Sequence, residues 1–315
     1  MLKEGLNINY ANEQGLTPLL YLLAHQRTYE EVDLINIIRI FIRYGADINC
    51  AGVTCGRNVL HLLCMTYHRN NLIEIVRLLI QYGLQIGKKT LLNGWNALHF
   101  LCRYHQGEDL IHVVQLFIQC GIDINSATTC CNENALHLLC RNYQKDNMPE
   151  LIQLFVRSGV DVNYKNNNEW NALQLLCRYY QKENIIDAVR LLLDNGIDVN
   201  YSNSVTRWNA LHILCRNYQQ DNLVRIIQML IEHGMDVSSV NSDGMSCLHF
   251  LFRHYNNRKL IVIIQILIDN GIDLHHVDKA GRNAIYYFYS NYNKDNFSDI
   301  IQLLSQHGVA LSHIL

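Results

Sequence analysis

Proline is almost absent from this 315-residue chain: only Pro18 and Pro149 occur, and no proline-rich or Gly/Ser-rich stretch marks a linker. One continuous domain over 1–315 is therefore expected. Charge is scarce as well. Asp, Glu, Lys and Arg supply 17% of the residues against 49% hydrophobic, which excludes the composition of a disordered chain and allows a large core. The formal net charge of −2 exerts no global pull toward nucleic acid or an anionic membrane. No apolar run approaches the roughly 18 residues of a membrane span, and the first residues lack a signal-peptide-like run. An intracellular, cytoplasmic protein is expected, with the nucleus left open. Catalytic fingerprints are missing too: there is no Gly-x-Ser-x-Gly, His-Glu-x-x-His, Walker-type loop or dinucleotide motif. Neither an enzyme nor a cofactor is expected.

What the chain does have is a period. Thr17, Asn58, Asn96, Asn134, Asn171, Asn209, Ser246 and Asn283 occupy one equivalent position, spaced by 41, 38, 38, 37, 38, 37 and 37 residues. Spacings of this size mark a solenoid or array. A second marker, Gly45, Gly83, Gly121, Gly159, Gly196, Gly234, Gly271 and Gly308, follows 25 residues after the first in every unit except the first, where the gap is 28. Because the return from Gly to the next marker is 12 or 13 residues, length variation is confined largely to the connection.

Inside a unit, Asn134 is a natural helix N-cap, and Leu136, Leu139, Cys140 and Tyr143 follow at helical spacing. A polar break, Gln144–Asn147, separates this first helix from a second one over Met148–Val156, where Asn147 with Glu150 fits a capping box. Asn71 with Glu74 repeats the pattern, and Asn184 with Asp187 and Asn296 with Asp299 are weaker forms. Gly159 ends the second helix, and the exit Gly159–Asn163, matched at Gly45, Gly121 and Gly196, predicts a projecting turn or hairpin. Two such helices cannot bury their apolar faces alone, so neighbouring units must stack.

These residues resemble the ankyrin-repeat family, whose units carry a T-P-L-H-x-A-A start, an apolar second helix and a G-A-D-V-N exit. Thr17-Pro18-Leu19 keeps the start. The Leu-His pair survives at His61, His99, His137, His212 and His249, and the exits match over nearly the whole chain. The resemblance implies an all-α ankyrin-type solenoid, with a partial unit over 1–15 and eight helix pairs beginning near 16, 57, 95, 133, 170, 208, 245 and 282. The period exceeds the usual 33 or so, and the added residues fall between the helices, which predicts a longer first helix. The turn Gly two residues before the marker, present as Gly15, Gly56, Gly94, Gly244 and Gly281, is replaced by Asn132, Glu169 and Arg207, which predicts irregular tips there. Residues 1–9 and 303–315 read as parts of units rather than caps, which suits a segment of a longer array.

Eleven cysteines and fifteen histidines invite a metal or thiol reading. Yet Cys64, Cys102, Cys140, Cys177 and Cys215 share one repeat position, and helices stacked about 8–10 Å apart cannot bring consecutive members together. They are expected to be buried, reduced thiols. Cys50 with Cys55, and the adjacent Cys130 and Cys131, lack a complete metal-ligand set. The His position, with Gln174 in one unit, is implied by the resemblance to bond the backbone of the turns.

Two sets of residues are candidates for binding. Arg103, Arg141, Arg178, Arg216 and Arg253 lie opposite the apolar arc of the first helix, and the resemblance places them on the concave recognition groove, where an acidic partner segment would suit them. The alternative is neutralisation within each unit by Glu108, Asp146, Glu183 and Asp221. Trp95, Trp170 and Trp208 stand directly before the marker, where other units have Leu16, Arg57, Glu133, Met245 and Arg282. They serve either as interface anchors or to fix the turn. The Tyr ladder, Tyr67, Tyr143, Tyr180, Tyr218, Tyr255 and Tyr292, is expected to pack the added helical turn. The function expected is a non-catalytic protein–protein scaffold. The alternatives are a substrate-recognition adaptor of a larger complex such as a ubiquitin ligase, and a nucleic-acid-binding solenoid that stacks bases on Tyr and Arg.

Overall fold

The computed structural model of the chain describes residues 7–25, 33–69, 71–290 and 297–309. Tyr292, Asn296, residues 1–6 and those from 310 onward, with the expectations placed on them, lie outside these. The chain divides into two compact units, Met1–Asn167 and Asn168–Leu315. The first holds the pairs α1 (Pro18–His25) with α2 (Leu34–Arg43), α3 (Val59–Thr66) with α4 (Leu72–Gln81), α5 (Ala97–Tyr104) with α6 (Leu110–Gln119), and α7 (Ala135–Asn142) with α8 (Met148–Arg157). The second holds α9 (Ala172–Tyr179) with α10 (Ile185–Asp194), α11 (Ala210–Asn217) with α12 (Leu223–Glu232), α13 (Cys247–His254) with α14 (Leu260–Asp269), and α15 (Ala284–Tyr289) with α16 (Phe297–Gln306). Within each unit, first helices pack on first helices and second on second, the all-α repeat architecture expected of the sequence. The hairpins shrink, among the described residues, to three isolated bridges, Ala51 with Asn58, Val240 with Ser246 and Val277 with Asn283.

First helices α3, α5, α9, α11 and α13 start on a reciprocal cap, whereas α7 and α15 keep only the bond to the N-cap side chain. Asn96 Oδ1 accepts the His99 N–H at 3.1 Å, and the Asn96 N–H donates to His99 Nδ1 at 3.1 Å. With Nδ1 an acceptor, Nε2 carries the proton and donates to the Ser126 carbonyl at 2.9 Å, pinning the following connection. His61 reaches Lys88 O and His212 reaches Ser239 O in the same way. Gln174 reproduces both bonds, accepting from Asn171 N and donating to Trp208 O at 2.7 Å. Burial holds the pKa values of His61, His99 and His212 down at about 4, so these rings are neutral structural links.

The elongated first helix does not form. First helices α3, α5, α7, α9, α11 and α13 each span eight residues. In α7 the chain leaves the helix at Tyr143, whose backbone is extended (φ −84, ψ 127). From there the buried ring turns under the helix pair, and its hydroxyl donates to Asn147 Oδ1 at 2.6 Å and toward Gly107 O at 3.2 Å. Tyr67, Tyr180 and Tyr218 bond Asn71, Asn184 and Asn222 likewise. The capping boxes expected at the second helices are lost for the same reason: Asn71, Asn147 and Asn184 make no side-chain cap, because their carbonyl oxygens are occupied by the Tyr hydroxyls. In α5 the pair changes to His105 and Asp109, joined at 2.8 Å, and the link survives the change of residue types.

The exit Asn is a second staple. Asn125 Nδ2 donates to Gly159 O at 2.9 Å while its Oδ1 accepts from Asp161 N at 2.8 Å, and Asn49 and Asn200 do the same to the next repeat. The tips expected to be irregular are regular. Asn132, Glu169 and Arg207 take φ values of 54, 56 and 53, in the left-handed region that Gly94 occupies at 65.

Candidate protein-interaction surface

The residue before the N-cap and the Arg eight positions later share a face, since eight residues are little more than two helical turns. Helical side chains lean toward the N-terminus, which carries the guanidinium back over the earlier residue. Arg103 accordingly lies 5.5 Å from the ring centre of Trp95, Arg178 5.3 Å from Trp170 and Arg216 5.3 Å from Trp208. Three of the five Arg candidates are thus paired with the three Trp candidates. Tyr104 and Tyr179, directly after the Arg, add a second ring at 5.5 Å. Among the described residues Arg103, Arg178 and Arg216 form no ion pair, so neutralisation five residues on does not operate there. Asp221 instead bonds Asn257 and lies 3.6 Å from Arg258.

The pairs differ in exposure. Trp95 is only 7% exposed, packed edge-on against Phe100, whereas Trp170 and Trp208 are half-buried. Arg178, Arg216 and Arg253 are exposed, Arg103 and Arg141 half-buried. In α7 the ring is replaced by Glu133, whose buried carboxylate holds Arg141 Nη2 at 2.7 Å and accepts from Asn166 at 3.3 Å. Arg253, with Met245 in the ring's place, lies 5.6 Å from Tyr287 of the next pair, and Arg282 bonds Asp278 at 3.0 Å. The partners Glu133, Tyr104 and Tyr179 were not singled out from sequence. The eight-residue offset from each Arg, and the Arg-Tyr dipeptides at 103–104 and 178–179, were the signals for them.

A guanidinium stacked on a ring keeps its N–H edge for a carboxylate or phosphate, and the ring shields its face from water. The ladder cysteines are buried and form no disulfide among the described residues, and burial pushes the Cys140 thiol up to about 12. No cluster of three metal-ligating side chains occurs among the described residues. No helix among them is long and apolar enough to cross a membrane.

A family model described as ankyrin repeats (3 copies) matches the chain at residues 28–128, 105–203 and 187–262. The chain belongs to the ankyrin-repeat family. No curated protein matches it. Ankyrin repeats generally mediate protein–protein interaction, and proteins built of them are typically non-enzymatic scaffolds. In this ankyrin-repeat chain the Arg recurs at 103, 141, 178, 216 and 253, while the residue eight positions before it varies from unit to unit.

Proposed function

We propose that the chain is a non-catalytic, cytoplasmic protein-binding scaffold that holds an acidic partner segment over its Arg–Trp pairs. Trp95 with Arg103 serves the first unit, and Trp170 with Arg178 and Trp208 with Arg216 serve the second, with Arg141 and Arg253 beside them. The observation that carries this reading is the combination at Arg103, Arg178 and Arg216: a guanidinium over a ring, with no ion pair among the described residues. The rings lower the ordering cost of binding, because the cation is held in place before the partner arrives.

The test is affinity capture from cell extract with the intact chain beside an Arg178→Glu, Arg216→Glu variant whose circular dichroism is unchanged. The proteins held by the intact chain should be lost from the variant and should be competed off by an acidic peptide. Retention of every partner overturns the reading. Capture of ubiquitin-ligase subunits through other residues would support the adaptor reading instead. Nucleic acid bound with a steep salt dependence would support nucleic-acid recognition.

A further inference from the structure

The second unit carries Arg178, Arg216 and Arg253 at the same position of α9, α11 and α13. All are exposed, and α11 packs between α9 and α13. Helices in such contact lie about 8–10 Å apart, which sets the step from one Arg to the next. Bonds between repeats hold that step. Gln174 donates to Trp208 O at 2.7 Å, His212 Nε2 lies 3.1 Å from Ser239 O, and Asn200 bonds both Gly234 O and Asp236 N at 2.8 Å.

Aromatic rings stand among the cations. Arg178 and Arg216 lie 5.3 Å from the ring centres of Trp170 and Trp208, Tyr179 adds a ring to Arg178 at 5.5 Å, and Arg253 lies 5.6 Å from Tyr287. Trp208 also packs against Phe250 of the next first helix, ring centres 4.6 Å apart, which anchors it to both α11 and α13. Trp170 and Trp208 are only half-buried and Tyr179 is exposed, so ring surface is left for an occupant.

An extended peptide on this row has to match both the step and the rings. In the polyproline II helix three residues complete a turn and rise about 9.3 Å, so side chains three apart share one face at the spacing of the cations. In a β-strand, residues three apart point to opposite faces, and those two apart rise only about 6.6 Å. Proline between the acidic positions offers apolar surface to the rings, as polyproline II segments do in aromatic-lined grooves, and it lowers the ordering cost because the chain already holds the bound conformation.

We infer that Arg178, Arg216 and Arg253 bind a partner segment in the polyproline II conformation that bears a carboxylate at every third residue, with proline between, the prolines lying on Trp208 and Tyr179. This rests on the acidic-partner reading and gives that partner a conformation and a register.

The experiment titrates the full chain into labelled peptides and follows fluorescence anisotropy. Every peptide holds four glutamates: as repeated Glu-Pro-Pro, as repeated Glu-Pro, as repeated Glu-Gly-Ser, and on a helix with glutamates seven residues apart, a rise of about 10.5 Å. The Glu-Pro-Pro peptide should bind on the order of tenfold more tightly than the other three. Arg216→Gln should weaken it on the order of tenfold, and Arg258→Gln, which removes an exposed cation outside the row, should leave it unchanged. If any of the other three binds as tightly and Arg216→Gln still weakens it, the register or the conformation is overturned while the acidic-partner reading stands. Glu-Pro-Pro binding that Arg216→Gln leaves intact overturns the inference. Binding of none of the four overturns it too, and the acidic-partner reading with it.

Discussion

His99 and Trp95 lie four residues apart at the start of α5, yet the rows they belong to behave differently from repeat to repeat. At His61, His99, His212 and His249 the side chain accepts from the N-cap and bonds the next connection, Gln174 makes the same two bonds, and His137 instead turns its Nδ1 onto Asn134 Oδ1. The position before the cap runs through Arg57, Trp95, Glu133, Trp170, Trp208, Met245 and Arg282 on an unchanged backbone. A row whose bonds run between repeats cannot change without unstacking them. The row before the cap is less constrained, buried at Trp95, Glu133 and Met245 and part-exposed at Arg57, Trp170, Trp208 and Arg282, and its variety suits a recognition surface.

The sharpest way to break this comparison is acid. His61, His99 and His212 have folded pKa values of about 4, below the unfolded value near 6.5, so the unfolded chain binds more protons as pH falls through that window. Stability contributed by each neutral ring is complete above pH 6.5 and is lost progressively toward pH 4, on the order of 3 kcal/mol per histidine. Urea midpoints at pH 7.5, 5.5 and 4.5 should fall steadily, and His212→Gln, copying the residue at 174, should flatten the decline. A midpoint unchanged between pH 7.5 and 4.5 would contradict the structural role of the row.

The next largest effect separates two members of the variable row. Arg141→Ala leaves the Glu133 carboxylate buried without its cation, at a cost of about 2–3 kcal/mol, whereas Arg216→Ala forfeits a contact with an aromatic ring worth about 0.5–1 kcal/mol. Chemical denaturation of the two variants side by side measures the difference. Equal losses would mean that ring and carboxylate support the Arg in the same way. Partner binding should rank the other way, Arg216→Ala weakening it more than Arg141→Ala.

Much of this architecture was legible in the sequence: the period, the two helices, the N-cap Asn, the terminating Gly and the structural use of His. The point at which the first helix ends was not. Tyr143 sits at helical spacing from Leu139 and Cys140, and burial of its ring fits a helix or an extended residue equally, so periodicity could not decide between them. The bond that decides it, from the Tyr hydroxyl to Asn147, pairs two polar groups whose spacing also fits a helix, and the same bond removes Asn147 as a side-chain cap for α8. The Arg–Trp pairing was hidden because the two residues lie on different elements, one on the connection and one on the helix. Tyr143→Phe tests this reading: it should cost about 1–2 kcal/mol in denaturation while leaving helix content by circular dichroism unchanged. A gain in helix content would mean that the hydroxyl had been holding back a longer first helix.

The smallest effect is expected at the tips, where a change should raise stability. Arg207 holds φ at 53, a conformation that costs a side chain about 1–2 kcal/mol, and its exposed side chain forms no hydrogen bond among the described residues to offset this. Arg207→Gly removes that strain, and the greater freedom of Gly in the unfolded chain returns part of it, for a net gain of about 0.5 kcal/mol. Asn132 has the same φ but tolerates it better, and its side chain donates to Lys165 O at 3.0 Å and accepts from the Tyr164 hydroxyl at 2.6 Å. Asn132→Gly should therefore bring no gain. If thermal unfolding shows both variants stabilised alike, the Asn132 bonds contribute nothing and the two tips are held by backbone alone.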